Sequence, residues 1–216
     1  NVEWHAPFGE SIYTLLYMSE AKSQSFWFGI FVYVLQITTI LLTLIGVINV
    51  DSNDNPLQIP PMVDLTVTCA QGVTLFMALA YQSDLIEAVL KLHDGFYPEI
   101  LEAHPGATFA TWLVSCLAQL SAGLLLLVTI FVLTMQADSV LSIMLNFAAL
   151  HFMAEIDDVG FSIANMGFVT NQLQKEVQSV IDFKVPQRKT RNVQRRILYV
   201  LALIGIFIGY GILKKR

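Results

Sequence analysis

FWFGIFVYVLQITTILLTLIGVI, residues Phe26 to Ile48, decides the fold. A helix crosses a bilayer with roughly 20 apolar residues, and this run contains no charge at all. Similar runs follow at Val63–Tyr81, Phe109–Gln136, Ser139–Val169 and Ile197–Leu213. The reading is an all-α, polytopic transmembrane helix bundle of about five spans over residues 26–213. Residues 1–25 form an N-terminal segment ahead of it. Within that segment Trp4, Phe8, Ile12 and Leu15 share a face, which predicts a short interfacial helix.

Composition agrees. The 216 residues are 55% hydrophobic and 13% charged, against about 25% charged in soluble domains. Mean hydropathy is +0.62. Cys69 and Cys116 both sit inside apolar runs, so neither a disulfide framework nor thiolate metal spacing is expected. The chain opens on Asn1 and closes on Lys214-Lys215-Arg216, which reads as a processed chain or part of a longer one, with no signal peptide visible.

The connections carry turn chemistry. Asp51 to Pro56 and Pro60-Pro61 separate the first two runs, and His104-Pro105-Gly106 precedes the third. Leu85, Val89 and Leu92 extend the second helix as an amphipathic stretch, and residues 171–183 read as a polar extension of the fourth. Lysine and arginine set the orientation. Lys22, Lys91 and the group Lys175, Lys184, Arg188, Lys189, Arg191, Arg195 and Arg196 all fall on one side, whereas the loops after the first and third spans have none. That side is expected to be cytoplasmic, with the N-terminus on it. A fifth full span then places the C-terminal bases outside, against the same rule, and the alternative is a re-entrant or interfacial fifth segment. Arg188, Lys189, Arg191, Arg195 and Arg196 are expected to meet anionic lipid headgroups.

Four ionisable residues interrupt the fourth run: His151, Glu155, Asp157 and Asp158. Charges are costly in hydrocarbon, so they mark function by default. At 100° per residue His151, Glu155, Asp158, Ser162 and Asn165 make one polar face, with Asn146 and Asp157 on an adjacent stripe. Gln36, Gln71 and Gln119 lie at matching depth on the first three spans. Together with His151 they are expected to line one polar interior, a cation or proton pathway continuing through Glu155, Asp157 and Asp158. The plainer alternative is interhelical hydrogen bonding of about 0.6 kcal/mol per contact. No resident metal is expected: a di-iron or other transition-metal site is disfavoured because the chain has no Glu-x-x-His pair and no second acid-rich helix, and a loosely held Ca²⁺ or Na⁺ near the three acids is the minor alternative. Gly205 and Gly209 form a small-xxx-small pattern that favours helix packing or dimerisation.

No phosphate-binding loop, zincin motif, nucleophile–histidine–acid set, voltage-sensor helix or selectivity filter is present, so no enzyme activity is expected and the cofactor, if any, is unknown. Expected partners are membrane lipids and other membrane subunits or further copies of this chain, not nucleic acid. SQSFWFGIFVYVLQ at Ser23–Gln36 and LNFAALHFMAEIDD at Leu145–Asp158 resemble segments of uncharacterised multi-pass membrane proteins of algae and other protists. The resemblance covers about a sixth of the chain. It implies a membrane region with a shared acidic helix and no catalytic residue. Two functions follow: forming or regulating a cation or proton pathway, or serving as a non-catalytic subunit of a larger membrane complex.

Overall fold

The computed structural model describes residues 3–7, 11–48, 57–60, 62–96, 104–182, 184–187 and 191–214. Its helices are α1 (Ile12–Met18), α2 (Gln24–Val47), α3 (Leu65–Tyr81), α4 (Ser83–Asp94), α5 (Phe109–Gln136), α6 (Val140–Ala154), α7 (Ile156–Asn165), α8 (Asn171–Ile181) and α9 (Arg191–Lys214). A short antiparallel pair, β1 (Glu3–Pro7) with β2 (Lys184–Gln187), joins the N-terminal segment to the stretch before α9.

Four stretches are long and apolar enough to cross a membrane: α2, α3 running on through α4, α5, and the Val193–Leu213 part of α9. The pair α6–α7, bent by 40° at Glu155, makes a fifth if it counts as one span. The fourth expected span is thus two helices, and residues 171–183 do not extend it. Gly167 adopts φ 77° and stops that line of chain, a backbone that glycine tolerates without strain. A new helix, α8, then starts at its own cap, Thr170, whose hydroxyl accepts from the Leu173 N–H.

Caps punctuate the other helices in the same way. Ser23 accepts from Phe26 at the start of α2, and Ser139 accepts from Ser142 at the start of α6. Thr108 and Thr111 form a reciprocal capping box at α5. Each such cap satisfies amide donors that a helix start leaves open, for about 1 kcal/mol.

The largest departure from expectation is α1. All seven of its residues are buried, so residues 12–18 are a core element and not an interfacial helix. Ile12, Tyr13, Leu15 and Leu16 pack with Val32 of α2, Ala118 and Ala122 of α5, Phe161 and Ala164 of α7, and Leu173, Val177 and Val180 of α8. A seven-residue helix is unstable alone; enclosure by four neighbours holds it. Of the other residues assigned to that amphipathic face, Trp4 belongs to β1 and Phe8 lies outside the described residues.

Close approach comes from glycine at named crossings. A Cβ on Gly160 would lie 2.7 Å from Val32 Cγ1, and one on Gly123 would lie 3.0 Å from the Leu85 backbone. These positions let α7 settle on α2 and α4 on α5. A second core, Ile40, Ala78, Leu126, Ile130 and Leu150, fills the far half of the bundle. Outside it, large apolar side chains such as Trp27, Phe31, Leu42 and Ile45 of α2 are exposed. α9 is peripheral: it touches α3 and α4, and no residue of its apolar stretch is buried.

Candidate functional site

Asp157 is 1% exposed. It belongs to the inward face of α7, with Gly160, Phe161 and Ala164 at helical spacing. Its Oδ1 accepts a hydrogen bond from Gln36 Nε2 at 3.1 Å, while its Oδ2 is buried and accepts none. Among the described residues no base pairs with it; the ion pair found there joins His151 and Glu155.

Gln36 is the hub around this acid. Its Nε2 also faces Met153 O and Ala154 O, both at 3.2 Å. Its Oε1 accepts from the Tyr13 hydroxyl at 2.6 Å. Burial, and next the charge of Asp157, hold the Tyr13 hydroxyl well above its usual pKa, so it stays a donor. The Tyr13 carbonyl in turn accepts from Ser115 Oγ at 2.6 Å. One turn further along α5, Gln119 donates to Asp84 Oδ1 at 2.9 Å and accepts from Lys91 Nζ at 2.9 Å. Tyr33 and Ser121 add a bond of 2.8 Å between α2 and α5. Buried polar groups of α4, α5, α1, α2 and α7 thus meet in one layer.

The expected single interior holding Gln36, Gln71, Gln119 and His151 does not exist. Gln36 belongs with Asp157, and Gln119 with Asp84 and Lys91. Gln71 lies elsewhere: it donates to Ala137 O at 3.2 Å and accepts from Tyr210 at 3.2 Å, tying α9 to the turn between α5 and α6. His151 stands off the interior. Its Nδ1 is 3.9 Å from Glu155, and the two side chains are 41% and 49% exposed; its ring stacks on Phe147. Glu155, Asp158 and Ser162 are exposed as well. The polar face of the fourth run therefore points outward, and the adjacent stripe, through Asp157, points in. Asn146 of that stripe donates to Leu133 O at 3.4 Å and takes no part in the layer.

The chain matches no known protein family, no curated protein and no solved structure. The site therefore has to be read on its own chemistry.

Sequence reasoning passes over Tyr13 and Asp84, reads Lys91 only for orientation, and reads Ser115 only as a polar neighbour of Gln119 on the third span. Tyr13 escaped because α1 was assigned to the membrane surface. Asp84 and Lys91 lie seven positions apart on one face of α4, which could have been read as a turn-spaced pair reaching one partner. No His, Cys, Asp and Glu cluster able to hold a metal occurs among the described residues. Of the glycine pair, Gly209 would bring a Cβ 3.7 Å from Phe131, an ordinary contact, whereas Gly205 meets nothing within 4 Å among the described residues. Of the proposed headgroup contacts, Arg195 and Arg196 are exposed at the start of α9. Arg188 and Lys189 lie outside the described residues, as does the Arg191 side chain.

Proposed function

We propose that this chain is a polytopic membrane protein that forms or regulates a cation or proton pathway, and that Asp157 is the group that takes up the ion. One observation carries the reading: the Asp157 carboxyl is buried, one oxygen accepts from Gln36, and among the described residues the other has no donor and no base pairs with it. A bare carboxylate in such a place is prohibitively costly. It needs a proton or a cation, and a site that must hold one can exchange it. The hydroxyl and amides of Tyr13, Gln36, Ser115 and Gln119 line the approach from Asp84 and Lys91.

Burial divides the labour among the acids, since Asp157 is enclosed while Glu155 and Asp158 at the same depth are exposed. Glu155 is sixteen residues past the Ser139 cap, a rise of about 24 Å at 1.5 Å per residue, against about 30 Å of hydrocarbon. Glu155 and Asp158 then reach the headgroup level, where exposed charge is cheap. Arg195 and Arg196 enter at the same side and contact anionic lipid. The bases of residues 175–196 make that side cytoplasmic.

The test is ion flux in liposomes with the purified chain and a pH-sensitive dye inside. Asp157→Asn should abolish flux, and Glu155→Gln should leave it unchanged. Wild-type flux through Asp157→Asn would remove the proposal.

A second reading rests on the outward face of α6 and α7. Glu155, Asp158 and Ser162 are exposed beside Phe152, Val159 and Ile163. A mixed polar and apolar stripe of this kind suits a neighbouring subunit, so an accessory role in a larger membrane complex is the alternative. Release of the chain from native membranes as a lone particle would count against it.

A further inference from the structure

We propose that the break between α6 and α7 forms a binding site for a monovalent alkali cation, closed in this structure by the Gln36 amide. The inference rests on the ion-uptake role of Asp157 and names the ion. Three oxygens, Met153 O, Ala154 O and Asp157 Oδ1, converge on Gln36 Nε2 at 3.2, 3.2 and 3.1 Å. An amide nitrogen has two hydrogens. It can satisfy two of the three, and Asp157 Oδ2 beside them is buried without a donor. The pocket therefore holds four oxygens and two protons.

Each part of the pocket has a structural cause. α6 ends at Ala154 and α7 begins at Ile156, so the last carbonyls of α6 face the gap at the negative end of its dipole. Helix ends broken within a bundle offer carbonyl oxygens to cations in this way. Asp157, one turn into the next helix, adds a full negative charge. Gln36 reaches the gap from α2 because Gly160 lets α7 lie against Val32.

The amide can turn over. Reversed, Gln36 places Oε1 where Nε2 now sits and points Nε2 at Tyr13, whose hydroxyl accepts as readily as it donates. Four oxygens, from Met153, Ala154, Asp157 and Gln36, then surround one position. Charge sets the class of ion. A single buried carboxylate balances one positive charge; Glu155 and Asp158, which a divalent ion would need, are exposed. Without any thiolate or imidazole in the set, a hard alkali cation fits and a transition metal does not.

The experiment uses the whole purified chain in detergent at constant ionic strength, with choline chloride replaced stepwise by NaCl or KCl. The thermal midpoint should rise and saturate with an alkali cation, as binding to the folded state requires. Asp157→Asn should abolish the rise, and Gln36→Met should weaken the apparent affinity at least tenfold. Because both variants also lose hydrogen bonds, ²³Na line broadening is measured on the unaltered protein, where broadening that KCl reverses is expected. Equal midpoints in choline and alkali salts with no broadening overturn the site. If Asp157-dependent proton flux persists in that case, the pathway stands and its ion is the proton alone. Alkali binding without any flux keeps the site and removes the pathway.

Discussion

Gln36 of α2 and Asp157 of α7 lie 121 positions apart and are joined by a buried hydrogen bond of 3.1 Å. The sequence marks both positions but does not pair them, and together they hold the acid around which the interior is organised. Replacing Gln36 by leucine would remove the two N–H donors shared among Asp157 Oδ1 and two carbonyls, and would leave the Tyr13 hydroxyl without the acceptor it has now. Each buried group left unmet costs about 1–3 kcal/mol, partly relieved by water or rearrangement. We expect Gln36→Leu to lose about 3 kcal/mol, read as a lowered thermal midpoint in detergent. A midpoint equal to that of the unaltered chain would show that the amide is not a structural hub.

Glu155→Gln should behave in the opposite way. Its partner His151 is 3.9 Å away and both side chains are nearly half exposed. Exposed pairs of this kind contribute about 0–1 kcal/mol. The midpoint should shift by less than about 0.5 kcal/mol equivalent. A loss as large as that of Gln36→Leu would mean that the outward acid is buried in the membrane-inserted protein.

The two kinds of glycine give a paired prediction. In Gly160→Ala the new methyl meets Val32 Cγ1 at 2.7 Å. Valine has few rotamers to yield with, so α7 must back away from α2, at about 1–3 kcal/mol. Gly205→Ala meets nothing within 4 Å and gains up to about 1 kcal/mol of helix propensity. Thermal midpoints of the two variants, measured side by side, should move in opposite directions. Destabilisation by Gly205→Ala would instead reveal a close helix neighbour supplied by another subunit.

Acid sensitivity should come in part from His104, in the segment leading to α5. Burial lowers its pKa from 6.5. The folded chain therefore binds this proton more weakly than the unfolded chain. The stability involved is fully present above about pH 6.5 and is lost as pH falls through that value toward the lower folded pKa. Unfolding midpoints at pH 8, 7 and 5.5 should show a fall that His104→Gln flattens. An identical acid limb in the variant would assign the effect to other groups.

Much of the fold was legible because apolar length is a blunt signal. Phe109–Gln136 is a helix at the residues expected, and the runs starting at Phe26, Val63 and Ile197 correspond to helices that start at Gln24, Leu65 and Arg191. What the sequence hid was phase. A constant 100° per residue carried across Glu155 assigns His151, Glu155, Asp158 and Ser162 to one inward face. The chain bends 40° at that residue, and near a headgroup boundary exposed charge is no penalty. The clue lay in size: Asp157 shares its face with Gly160 and Ala164, the small residues that let one helix approach another. The same blindness hid α1. Its Ile12, Tyr13, Leu15 and Leu16 are as compatible with a surface helix as with a core one, and only the neighbours, far along the chain, decide between them.

Those neighbours impose an order of events. The partners that enclose α1 begin at Gln24 and end at Ile181. The earliest described helix to leave the ribosome is thus among the last to find its seat. Until α7 and α8 have been made, the socket of this apolar seven-residue plug is incomplete.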